Sequence, residues 1–102
     1  MSLLQIINEL KSFLDEKKID RKQFAVKLDE AIENTVSFTA MAHDLQGYYD
    51  AIAIVANYIA GGDKVLAELI RSFLVEYMAL ARGLLRDEYK RFKEMVMFYL
   101  QS

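Results

Sequence analysis

DKVLAELIRSFLVEYMALARGLLRDEYKRFKEMVMFYLQS, residues 63–102, decides the fold. It follows the breaker pair Gly61-Gly62 and opens on Asp63, a strong helix-capping residue. Apolar side chains then recur every three or four positions: Val65/Leu66, Leu69/Ile70, Phe73/Leu74, Tyr77, Leu80/Ala81, Leu84/Leu85, Phe92, Met95/Val96 and Tyr99. That is a helical period. The stretch has no proline and one glycine, Gly83. A glycine inside a helix costs only about 1 kcal/mol, so Gly83 permits a break without forcing one. Either the segment bends near Gly83 or it runs as a single helix of up to about 55 Å. A bend is expected, because an isolated long helix forgoes the packing that stabilises a small domain. The apolar face is also wider than one buried stripe requires.

The earlier residues carry the same period. Ser2 with Gln5 forms a capping-box pattern ahead of Leu3, Ile6/Ile7, Leu10 and Phe13/Leu14, which predicts a first helix over Ser2 to Lys17. Asp20 with Gln23 is a second box; behind it Phe24, Leu28, Ala31/Ile32, Thr35, Phe38 and Ala42 line one face of a second helix that Gln46-Gly47 should end. Within it Thr35–Thr39 alternates and is β-branched, so a short strand is the competing reading there. Tyr48, Ile52, Val55/Ala56 and Ile59 predict a third, nearly uncharged helix over 48–60, which by its composition belongs in the middle of the molecule. The expected fold is a single all-α domain, a bundle of four to five helices.

Sliding the chain against itself by sixty residues sets Ser12-Phe13-Leu14 on Ser72-Phe73-Leu74, Glu16 on Glu76, Val36 on Val96 and Phe38 on Phe98. Residues 6–42 then match 66–102 without gaps, joined by the helix over 48–60. Two readings stand: an internal repeat of a helical pair, or two amphipathic segments agreeing by pattern alone. Where the first copy has Lys17-Lys18 the second has Tyr77-Met78, and Ser37 and Thr39 become Met97 and Tyr99.

The chain has 102 residues, 54% hydrophobic and 27% charged, with net charge −2, a composition that suits one compact domain rather than disorder. No global field favours nucleic acid or an anionic membrane. The absence of cysteine removes disulfides and thiolate sites and leaves a cytoplasmic location as the default expectation. The N-terminal residues lack a signal-peptide pattern, and the longest uncharged apolar run, Ala51–Gly62, is too short to span a bilayer. The single histidine, His43, stands beside Asp44, but neighbours on a helix diverge by about 100° and no oxyanion donor pattern accompanies them or Ser37. Carboxylate-bridged metal sites need Glu-x-x-His pairs that are missing, and Asp29, Glu30 and Glu33 are expected on a solvated face. No glycine-rich phosphate loop occurs. Neither enzyme chemistry nor a cofactor is expected.

Tyrosine and methionine are plentiful, and both suit interfaces. The expectation is a protein- or peptide-interaction module holding an apolar segment between its two helical pairs, or pairing with itself as a homodimer. Tyr77, Met78, Met97 and Tyr99 are the candidate partner-binding residues. The competing reading is a nucleic-acid-associated protein in which Arg82, Arg86, Lys90 and Lys93 track phosphates along one helical face. Ion pairs at helical spacing, Asp87 with Arg91 and Lys90 with Glu94, make that face an ordinary solvated one.

Overall fold

In the computed structural model, which describes all 102 residues, the helices begin where a side chain can hold the free amides of the first turn. The order is α1 (Leu3–Glu16), α2 (Arg21–Ala40), α3 (Leu45–Ala60), α4 (Lys64–Ala81) and α5 (Arg86–Gln101), with no strand. Ser2 and Gln5 exchange hydrogen bonds at 2.8 and 3.2 Å, completing the expected capping box. Asp20 accepts from the Lys22 and Gln23 amides, and Asp63 from Leu66. α5 has no capping side chain of its own, but the Glu88 carboxylate reaches back 2.9 Å to the Leu85 amide. α1 ends in a left-handed residue that is not glycine: Lys18 (φ 58°) lets the Ile19 amide bond the Leu14 carbonyl at 2.8 Å.

The boundary between α2 and α3 lies earlier than the glycine suggested. α2 stops at Ala40, Asp44 caps α3 by accepting from the Gly47 amide at 2.7 Å, and Gln46-Gly47 belong to the first turn of α3. His43 therefore sits in the turn, not on a helix end. Thr35–Thr39 is helical throughout. The Thr35 hydroxyl donates to Ala31 O and that of Thr39 to Thr35 O, each at 2.7 Å, so the polar groups that would disfavour a helix are satisfied within it. Thr35 is the sole buried polar residue.

Gly83 does end a helix. α4 closes at Ala81, Arg82 is extended (ψ 129°), Gly83 takes φ 85°, and α5 turns away to pack on α2 and α1 rather than closely on α4. The remaining contacts pair α3 with α4, α2 with α3, α1 with α4 and, less extensively, α1 with α2. Twenty-one buried apolar residues drawn from all five helices form one core. At the sixty-residue offset, Ile6/Leu66, Leu10/Ile70 and Leu14/Leu74 are buried on both sides. The agreement does not carry into the next helices: Phe24 and Leu28 are buried where Leu84 and Glu88 are exposed, and Thr35 is buried where Met95 is not. α4 is 18 residues long against 14 in α1, about one extra turn, which carries α5 out of the gapless register.

α3 does not lie in the middle. Ile52, Val55, Ala56 and Ala60 are buried against α2 and α4, while Leu45, Tyr49, Ile54 and Tyr58 face outward. If the Gly83 break is built in as described, Gly83→Ala should cost about 1–2 kcal/mol in chemical denaturation, since φ is positive there and no neighbour would crowd the added methyl. A gain in stability would show that α4 and α5 prefer to run as one helix.

Candidate apolar interaction surface

The four residues expected to face a partner do not share a surface. Tyr77 is fully buried (0% exposed). Its ring stacks on Phe73 (5.6 Å between centroids) and packs at a tilt against Phe92 (5.0 Å), and its hydroxyl donates to Tyr89 Oη at 3.1 Å. In this fold it is a core residue. The extra turn of α4 that carries it fills the space between α4 and α5. Met78 and Met97 are half-buried against the same core. Only Tyr99 is open, 44% exposed beside the Phe98 ring on the outer side of α5.

The basic stripe is also divided. Lys93 Nζ lies 2.5 Å from Asp29 Oδ1 and 2.6 Å from Glu33 Oε1, so it fastens α5 to α2. Burial alone would lower the pKa of Lys93, but the hydrogen bonds to Asp29 and Glu33 outweigh it and hold the ammonium above its ordinary 10.5. Asp29 and Glu33 lie on the solvated side of α2, as expected, but also face a charge on α5. Arg82 lies outside α5, its guanidinium 5.9 Å from the Tyr48 ring centroid. Arg86 and Lys90 are exposed, and neither Asp87–Arg91 nor Lys90–Glu94 closes into an ion pair. No three acidic, histidine or cysteine side chains converge in a way that could hold a metal ion, and no helix is long and apolar enough to cross a membrane.

An open apolar surface with a concave floor lies elsewhere. The four-residue turn Met41–Asp44 is too short to reach back along α2, so α3 must return beside it. Between them runs a groove of about 280 Å³ lined by Asn34 and Phe38 from α2 and Ile54, Val55, Tyr58 and Ile59 from α3. Val55 forms part of the buried floor; Phe38 (44% exposed), Ile54 (63%) and Tyr58 (82%) form the rim. Phe38 and Ile54 sit one turn from Asn34 and Tyr58 respectively, so each helix contributes a row at i, i+4 spacing. Phe38 had the position of a core residue in the α2 pattern, but the core face of α2 ends at Thr35. The signal for this groove was the near-absence of charge on α3, which accompanies burial and an exposed docking face alike.

Charge is segregated around the groove. From Leu28 to Asp63 there is no lysine or arginine, and six acids: Asp29, Glu30, Glu33, Asp44, Asp50 and Asp63. A second cleft, lined by Asp29, Glu30, Glu33, Asn34 and Lys93, adjoins the apolar one through Asn34.

Two outcomes follow from these placements. Tyr77→Ala should cost about 3–5 kcal/mol, the loss expected for a large buried ring, whereas an interface residue would leave stability nearly unchanged. Burial, and then the bond to Tyr89, raise the Tyr77 phenol well above its ordinary 10.0, so its contribution is intact below pH 10 and is lost above it as the unfolded chain ionises. The unfolding free energy of the wild type, from urea denaturation, should therefore fall more steeply above pH 10 than that of Tyr77→Phe, by up to about 1.4 kcal/mol per pH unit. Equal slopes would mean that the phenol is solvated. Separately, Lys93→Met should cost about 1 kcal/mol at neutral pH, solvent screening of the half-exposed acids keeping the loss at that level; no change in denaturation midpoint would mean that the contact does not tie α5 to α2. Compared with known protein families, with curated proteins and with solved structures, the chain matches none.

Proposed function

We infer that this protein is a non-enzymatic interaction module whose α2–α3 groove receives the apolar face of a helix from a partner protein. The observation that carries the reading is the exposure of Ile54 and Tyr58 in one row beside Phe38 and above a buried Val55. Scattered apolar residues on a surface need no explanation, but a row of large ones flanking a concave floor is the form that helix-in-groove recognition takes. Tyrosine at the rim fits that role, since its ring buries area while the hydroxyl stays wet.

The magnitudes set the class of interaction. Covering three such side chains is worth about 1.5–3 kcal/mol each, and the partner's anchors add a similar amount. Association and side-chain ordering take back at least about 4 kcal/mol. What is left corresponds to affinity on the order of micromolar, a reversible encounter rather than an obligate assembly.

The test is a selection of displayed helical peptides on immobilised protein, counter-selected on the double variant Ile54→Ser, Tyr58→Ser. Both side chains are exposed, so the variant should keep its stability within about 0.5 kcal/mol. The reading expects enriched peptides with large apolar residues at i, i+3/i+4 and i+7 that bind the wild type and not the variant. Peptides that bind both equally, or no enrichment over background, would refute it.

A further inference from the structure

We propose that the groove selects a cationic amphipathic helix: two turns of apolar anchors with lysine or arginine at both ends. This rests on the reading of the groove above and adds the chemistry of its occupant. Along α2, Glu30 stands one turn before Asn34; along α3, Asp50 stands one turn before Ile54. Because α3 returns beside α2, these acids lie towards opposite ends of the slot, with the Glu30/Glu33 cleft at the Asn34 end and Asp50 at the other. Asp50 to Tyr58 spans about 12 Å of helix, two turns of a helix laid alongside. The one base in the adjoining cleft, Lys93, is already held by Asp29 and Glu33, so Glu30 keeps its charge uncompensated.

The same charges rule against the other occupants of an apolar slot. A second copy docking the same face onto itself would oppose acid with acid and supply no base, because none occurs between Leu28 and Asp63. The exposed bases Arg86, Lys90 and Arg91 of a second copy alternate with Asp87, Glu88 and Glu94, which leaves α5 with no net field to offer. An anionic membrane or a nucleic acid would be repelled by the rim.

The probes are two synthetic helical peptides about 18 residues long, alike in a leucine face at i, i+4 and i+7 and differing in having lysine or glutamate at the remaining polar positions. Each is titrated into ¹⁵N-labelled full-length protein. The proposal expects the lysine peptide to shift amides of Phe38, Ile54 and Tyr58, to bind about tenfold or more tighter than the glutamate peptide at low salt, and to lose that margin between about 50 and 500 mM salt. The double variant Glu30→Lys, Asp50→Lys should reverse the preference. Equal binding of both peptides at those residues would leave the groove reading standing and overturn the cationic specificity. Shifts confined to other surfaces, with either peptide, would overturn both. A dimer by analytical ultracentrifugation that Ile54→Ser, Tyr58→Ser dissolves would also overturn the proposal, since the occupant would then be a second copy.

Discussion

The structure turns on the column of rings at Tyr77. After Gly83 releases α4 from its path, α5 settles on α2 and α1, and its axis does not approach α4 closely enough for small side chains to close the space. Phe73, Tyr77 and Phe92 bridge it, with Tyr89 satisfying the one polar atom that Tyr77 carries inward. An unpaired phenol there would cost roughly 1–3 kcal/mol, enough to offset much of the ring's own burial. The hydroxyl bond is thus what permits a tyrosine in that place. Lys93 then fastens the outer side of α5 to α2 through two carboxylates, so α5 is held by apolar contact on one flank and by charge on the other.

This use of rings inside the bundle determines what remains outside. Aromatic residues on α4 and the first half of α5 are spent on the core, while α3, which carries a single charge at Asp50, sits at the edge and leaves Ile54 and Tyr58 uncovered. An edge helix of a monomer ordinarily carries several charges on its solvent side. Here the solvation is supplied instead by acids at the ends of the slot. In the reading proposed above, that combination disfavours pairing of the row with its own kind and leaves it open to a partner of opposite charge.

Much of the fold was legible from residue patterns because its local determinants are short-range. Ser2, Asp20 and Asp63 announce helix starts through side chains that reach only two or three residues ahead, and Gly83 marks a place where a positive φ is cheap. Asp44 did the same work for α3 but was masked by Gly47, which reads as a stop although it is housed in the first turn. The site was less legible, for a physical reason. Period and composition say that a face is apolar; they do not say whether a neighbour covers it. Tyr77 and Tyr58 look alike along the chain and end at 0% and 82% exposure because α5 folds over one and nothing folds over the other. Likewise Lys93 belongs to a basic stripe in sequence and to an acidic cleft in space.

The central claim is that the rings on α4 are consumed by the core and that the apolar row on α3 stands open. Tyrosine nitration of the native protein, mapped by mass spectrometry over time, tests it most directly. Tyr58 should be modified among the first and Tyr77 only on unfolding; early modification of Tyr77 with Tyr58 protected would contradict the account.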